Sequence, residues 1–230
     1  TAVSKVKRIF GGVKAGHCGT LDPMATGVLP VVLGAATPFA EYLTSQDKEY
    51  LAGVKLGVET DTEDITGKVL KELDVNVSEQ DILNVLPRFT GEIVQVPPMY
   101  SALKIGGRKL YEIARKGETV QREGRKVTIK EIELTSFDRK NSEFNIRVYC
   151  GKGTYIRTLA ADIGKALGCG AAMASLRRTK AGSFTLQHAV TLAELETGDA
   201  SQAGSHVRPI EEYFNDIKTV KTDAFYARLL

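Results

Sequence analysis

Long apolar runs are missing from this 230-residue chain. No stretch of about eighteen apolar residues occurs, and Thr1-Ala2-Val3-Ser4-Lys5-Val6-Lys7-Arg8 has no apolar core of the secretory kind, so neither a membrane span nor an export signal is expected. A cytoplasmic location is the expectation. Cysteine is scarce: Cys18, Cys150 and Cys169 are odd in number and lack CxxC spacing, which argues against a disulfide framework and against zinc. Histidine is scarce too, and His17, His188 and His206 form no HExxH pattern, so a catalytic transition metal is not expected. Walker loops, GxGxxG fingerprints and nucleophile elbows are absent. What remains is an ordinary globular composition, 43% hydrophobic and 26% charged, long enough for one large domain or a domain with an appendage.

Charge is spread unevenly. Between Lys104 and Lys130 nine bases face three acids, a local +6 in a chain whose net charge is +3. A solvated face explains such a run, and so does an anionic polymer, because each neutralised phosphate releases counterions. From Ala102 to Gly124 glycine alternates with base around one short helix expected at Leu110 to Lys116. This reads as an arm that orders on a partner.

The densest stretch is Gly16-His17-Cys18-Gly19-Thr20-Leu21-Asp22-Pro23-Met24-Ala25-Thr26-Gly27-Val28-Leu29-Pro30. Its glycines permit unusual backbone angles and its prolines fix others, which predicts a rigid, shaped turn. Asp22 precedes a proline, so its backbone is pushed towards extended geometry and its carboxylate sits at the corner. Two readings stay open for it: a capping group of ordinary kind, or a nucleophilic or acid/base carboxylate.

Elsewhere the patterns are conventional. Residues 1 to 10 read as an amphipathic helix ending at Gly11-Gly12, and Pro38 to Leu43 as a short helix. Glu49 to Leu56 alternates as a strand with Tyr50 at its start. Glu59 to Gly67 is acidic but does not match a calcium loop, and a capped turn between strands accounts for it. Ser78 opens a helix through about Phe89 whose apolar face is Ile82, Leu83, Val85 and Leu86. Arg125 to Phe137 and Glu143 to Cys150 form an antiparallel pair. Thr154 is expected to cap a helix carrying Tyr155 and Arg157 in its first turn, with Ile156, Leu159, Ala160, Ile163 and Leu167 inside and Gly168 at its end. Ser175 to Thr179 reads as a strand, and Thr191 to Glu194 as a capping box. A pattern from Asp223 to Leu230 stops abruptly, as if a further module followed.

These motifs resemble the TruB family of tRNA pseudouridine synthases, which convert uridine 55 in the TΨC loop. The resemblance rests on the Gly16 to Pro30 stretch. Lys48-Glu49-Tyr50, Thr60-Asp61-Thr62, Val96 to Lys104, Gly153 to Leu159 and Leu176-Arg177-Arg178-Thr179 follow in the same order. Leu29-Pro30-Val31 and Leu33-Gly34 match the bacterial type better than its dyskerin-like relatives.

The resemblance implies an α+β pseudouridine synthase fold: a mixed, mostly antiparallel sheet with flanking helices, a cleft across it and a basic RNA-gripping insertion at about 102–125. It implies one catalytic domain over residues 1–230, with the family's N-terminal lysine-proline motif and C-terminal PUA domain outside this chain. Asp22 would be the nucleophile, Tyr50 would stack on the flipped uracil, Arg157 would pair with Asp22, and Tyr155 and Leu176 would line the uracil pocket. His17 would enter the RNA stack, although a turn-stabilising role suits it as well. Lys104, Arg108 and Lys109 would grip phosphates. The partner would be a tRNA stem-loop met by a monomer, with no metal and no cofactor. The family usually has threonine where Cys18 stands, which bears on loop geometry or RNA contact. The rival class is a non-catalytic RNA-binding or RNA-folding module. An acid aimed at the RNA has no use in pure binding. Glycosidase-like hydrolysis is disfavoured because no clear second carboxylate accompanies Asp22.

Overall fold

The structure, a computed structural model, describes residues 1–198 and 200–213. The Asp223 to Leu230 pattern lies outside the described residues. The chain divides into two compact units. The first takes Thr1–Gly16, Val32–Pro38 and the described residues from Val190 onward. In it the helix Ala2–Ile9 is capped by the Thr1 hydroxyl, which accepts from the Ser4 N–H at 3.2 Å. Lys5 and Arg8 on that helix reach Glu196 at 3.1 and 3.4 Å, on the helix Leu192–Thr197. That second helix starts with the expected Thr191/Glu194 capping box.

The second unit, His17–Val31 with Phe39–Ala189, is built on a seven-stranded sheet. Its strands are β1 (Thr26–Gly27), β2 (Lys48–Leu56), β3 (Gly91–Gln95), β4 (Arg125–Asp138), β5 (Glu143–Cys150), β6 (Ala171–Ala181) and β7 (Phe184–Thr185). The order is β7-β6-β2-β5-β4-β3, all antiparallel, and β1 joins β6 in parallel. The sheet is thus mixed and mostly antiparallel, as expected.

Alternation decides its faces. In β2, Tyr50, Ala52, Val54 and Leu56 point into the core while Leu51 is exposed. In β5, Phe144, Ile146, Val148 and Cys150 are wholly buried, and register sets Val148 opposite Tyr50, Ile146 opposite Ala52 and Phe144 opposite Val54. The helix Ile156–Ala166 lays Ile156, Leu159, Ala160 and Ile163 into the same core. Burial of each large apolar side chain there contributes about 1.5–3 kcal/mol. Gly168, at φ +79°, ends this helical stretch as predicted.

Three local expectations change. Leu83 is exposed, because the helix Glu79–Val85 turns only Ile82 and Val85 inward. Thr154 does not cap the helix Ile156–Ala166: its hydroxyl donates to the Gly151 carbonyl at 3.0 Å, and Tyr155 takes the N-cap position. The stretch from Ala102 carries a small hairpin, Lys104–Ile105 with Arg108–Lys109, and the helix Leu110–Ala114. Leu110 and Ile113 pack with Met99 in a separate apolar cluster, so the basic arm contains a core of its own.

Candidate active site

The turn that carries Asp22 is fixed from both ends. The Cys18 N–H donates to the Pro30 carbonyl at 2.9 Å, closing its base. The Ala25 N–H donates to the Asp22 carbonyl at 2.9 Å, tightening its tip. Gly27 has φ +99°, and a Cβ there would lie 2.1 Å from the Arg178 carbonyl oxygen, so only glycine fits where β1 presses onto β6.

Asp22 meets Arg157 across 135 residues of sequence. Nε donates to Oδ2 at 3.0 Å and Nη2 to Oδ1 at 2.9 Å, the parallel two-bond geometry that a planar guanidinium makes with a carboxylate. The Arg157 side chain is 5% exposed and that of Asp22 27%, so the acid keeps an open face while its partner does not. The rest of the guanidinium is used as well: Nη1 donates to the Thr62 carbonyl and Nη2 to the Tyr100 carbonyl, both at 2.9 Å. Arg157 therefore ties together the Asp22 turn, the Thr60 to Gly67 turn and the connector into the basic insertion.

Asp64 stands behind this pair, its Oδ2 lying 3.9 Å from Arg157 Nε. Its Oδ1 accepts from the Thr62 hydroxyl and the Thr66 N–H, both at 2.9 Å, and from the Thr66 hydroxyl at 2.5 Å. The adjoining Glu63 sits at φ +63°, with its carboxylate accepting from the Thr158 hydroxyl at 2.6 Å. Burial pushes the Glu63 carboxyl up, against the opposing pull of Thr158 and Arg157.

Tyr155 precedes Arg157 by two residues and is held by Gln95. The buried Gln95 amide accepts from the Tyr155 N–H at 3.0 Å and donates to the Tyr155 carbonyl at 3.2 Å. Tyr50 and Leu176 are both buried in the main core, where the Leu176 Cα faces Ala52 and the Arg178 Cα faces Tyr50. Burial pushes the Tyr50 hydroxyl up, while the adjacent Arg178 guanidinium pulls it down. Cys18 is buried, and burial raises its thiol to about 11.

Asp22, Arg157, Tyr50, Tyr155 and Leu176 thus belong to one unit, with Asp22 and Arg157 in direct contact. His17 is exposed at the end of the strand Ala15–His17. The bases Lys104, Arg108 and Lys109 lie on the hairpin of the insertion, and Asp22 is paired with Arg157 rather than with any of them. Lys104 is exposed, Arg108 pairs with Glu118 at 3.6 Å, and Lys109 lies against the Tyr111 ring at 5.4 Å from its centroid. Among the described residues, no group of three or more His, Cys, Asp or Glu side chains is placed to hold a metal ion, and no helix is long and apolar enough to cross a membrane.

Sequence reasoning gave Asp64, Gln95 and Arg178 no role. Arg178 lies in the Leu176 to Thr179 motif, and Asp64 within the turn from Glu59 to Gly67. The signal available for all three was a polar residue amid core-forming neighbours, which takes on meaning only when the buried partner is known.

Comparison with known proteins bears on the chain as a whole. Residues 7–156 match the family model described as TruB family pseudouridylate synthase (N terminal domain), and residues 157–215 match the tRNA pseudouridylate synthase B C-terminal domain. The chain is 50% identical over 226 residues to tRNA pseudouridine synthase B of Burkholderia mallei (strain NCTC 10247), covering 98% of this chain and 74% of that protein. It is 51% identical over 210 residues to the protein of the same name from Azoarcus sp. (strain BH72), covering 91% and 69%. Among solved structures it resembles a chain of a Cbf5-Nop10-Gar1 complex, with TM-score 0.66, 31% identity and coverage of 89% of this chain and 57% of that one. A chain from an H/ACA RNP bound to a substrate RNA containing 2'-deoxyuridine gives TM-score 0.62 at 32% identity, with coverage of 84% and 47%. The chain spans about half the length of these two structural relatives.

Proposed function

The chain belongs to the TruB family of pseudouridylate synthases and isomerises uridine in tRNA, and we propose that its target is position 55 of the TΨC loop with Asp22 as nucleophile. The observation that carries the role of Asp22 is its pairing with Arg157: both carboxylate oxygens are held by a buried guanidinium, while the carboxylate keeps access to solvent. A carboxylate fixed in this way attacks C1' of the ribose, or assists formation of a glycal, as the bond from C1' to uracil N1 breaks. The detached uracil anion turns, C5 bonds to C1' as the bond to the Asp22 carboxylate breaks or as the glycal regains its C2' proton, the hydrogen on C5 leaves as a proton, and N1 takes one up. The uracil must first leave its stack, which costs a few kcal/mol. Stacking on an aromatic side chain returns about 1–3 kcal/mol, and Tyr50 is assigned to this contact while Tyr155 lines the pocket.

In this reading Leu176 closes the apolar wall of the uracil pocket and His17 takes the space left in the RNA stack. Lys104, Arg108 and Lys109, within the insertion at about 102–125, hold backbone phosphates and read stem-loop shape. The substrate is the TΨC stem-loop, and the enzyme acts as a monomer in the cytoplasm without a small-molecule cofactor.

Release of tritium from C5-labelled uridine in a TΨC stem-loop tests the assignment. Release by the parent and none by Asp22→Asn, with equal RNA binding, is the expected result. Equal release by both removes Asp22 from the chemistry. Binding without release by either favours the RNA-binding module instead.

A further inference from the structure

Arg178 is the bulkiest of the fully buried side chains, 1% exposed, and among the described residues no carboxylate is paired with it. A buried guanidinium normally needs a counter-charge, because desolvation costs several kcal/mol per ion. Here its donors go to backbone carbonyls of one turn. Nε donates to Val28 at 2.7 Å, Nη2 to Gly19 at 3.2 Å and Nη1 to Thr20 at 3.4 Å. Gly19 and Thr20 lie just before Asp22, and Val28 lies beyond it, so the fork spans the loop that presents the acid. The Arg178 main chain repeats the grip, accepting from the Val28 N–H at 2.8 Å.

The same guanidinium reaches a second group. Arg178 on β6 is the cross-strand partner of Tyr50 on β2, and its guanidinium lies beside the Tyr50 hydroxyl. The surroundings make this an expensive place for a cation. Lys48 is also buried, and burial together with Arg178 pulls its ammonium below the usual lysine range. Arg157, by contrast, holds the Asp22 carboxylate from the side of the Thr62 and Tyr100 carbonyls.

We infer that Arg178 is a positioning residue for the proposed reaction: its guanidinium grips the loop that presents Asp22 while its main chain faces Tyr50 across the β2–β6 pair, so that acid and aromatic keep a common register. The inference rests on the assignment of Asp22 and Tyr50 to the site. It differs from a fold-stabilising role, because it requires the effect of Arg178 to pass partly through the Tyr50 hydroxyl.

The test compares parent, Arg178→Lys, Arg178→Gln, Tyr50→Phe and the Arg178→Lys/Tyr50→Phe double variant. Each is assayed for single-turnover pseudouridine formation at saturating tRNA, for tRNA affinity, and by thermal melting to establish the folded fraction at the assay temperature. Arg178→Lys keeps the charge without the fork and carries the test if Arg178→Gln does not fold.

The expected result for folded Arg178→Lys is tRNA affinity within about threefold of the parent and a single-turnover rate lower by about tenfold or more. In the Tyr50→Phe background the same change costs at least about threefold less, since the hydroxyl beside the guanidinium is gone. An unchanged rate in folded Arg178→Lys overturns the inference, and so does a loss that multiplies independently with Tyr50→Phe. An inactive parent overturns the reaction assignment itself and this role with it, a result the parent measurement alone distinguishes.

Discussion

Arg157 and Asp22 share two hydrogen bonds of 3.0 and 2.9 Å, and the arginine is the more deeply buried of the two. The acid is therefore replaceable without opening the core, whereas the base is not. Asp22→Asn keeps shape and one acceptor, and is expected to fold while pseudouridine formation falls by about 10³-fold or more. Arg157→Ala removes the partner of two carbonyls and a carboxylate, and is expected to cost about 3–5 kcal/mol of stability. Urea unfolding of the two variants beside the parent checks the asymmetry.

Gly27 is held to glycine by space and by backbone angle together. Gly27→Ala is expected to destabilise by about 1–3 kcal/mol as a strained φ, and the clash with the Arg178 carbonyl adds displacement of β1. A protein of this length should then melt lower by roughly 2–12 °C, at 2–4 °C per kcal/mol. Gly117, also at positive φ but with open space around its Cβ position, is the control that isolates the clash.

Gln95 satisfies both backbone groups of Tyr155 with one side chain. Gln95→Leu fills similar volume but leaves that N–H without a partner, while the C=O still accepts from the Leu159 N–H at 3.0 Å, so the change costs about 1–3 kcal/mol when the N–H stays buried. Thermal melting reads the loss. Because Tyr155 begins the helix that carries Arg157, single-turnover rate is expected to fall more than tRNA affinity.

The thiols of Cys18 and Cys150 are each pushed up to about 11 by burial. An unfolded thiol titrates near about 8.5, so the folded state retains protons that the unfolded chain sheds. Their contribution to stability is whole below about pH 8.5 and is lost as pH rises through about 11. Tyr50, raised by burial, acts in the same direction, and Lys48, lowered by burial, acts in the opposite one. The urea midpoint is expected to fall between about pH 8.5 and pH 10.5, and to fall less in Cys18→Ala. Neither thiol should react with Ellman's reagent at pH 8 until the protein is unfolded.

Lys104 and Arg108 are exposed on the insertion hairpin. If each contacts one phosphate, replacing either with alanine lowers the slope of log affinity against log salt by about 0.7–0.9. Filter binding of tRNA across a salt series measures this. An unchanged slope in the double variant would falsify their assignment to phosphate.

The alternation of β2 and β5, the helix start at Ser78, the capping box at Thr191 and the Gly168 stop are legible in the sequence, because each depends on neighbours two to four residues away. Leu83 and Thr154 misled for the same reason: local periodicity and capping preference cannot tell which side of a short helix meets the core, or that Tyr155 and Gln95 settle the helix start. In the basic insertion, charge and glycine concealed a core that only Met99, Leu110 and Ile113 brought together supply.

The candidate site divides along the same line. Backbone freedom at Gly19 and Gly27 and restriction at Pro23 belong to those residues themselves, so a rigid, glycine-framed turn presenting Asp22 is legible without the fold. The family resemblance further linked Asp22 to Arg157. Tertiary structure alone decided what holds the turn: the Arg178 fork on three carbonyls, the shell of threonines on Asp64, and the Gln95 clamp on Tyr155. These are long-range bonds between buried polar groups, and their strength comes from the absence of competing water, a condition that exists only once the core has closed.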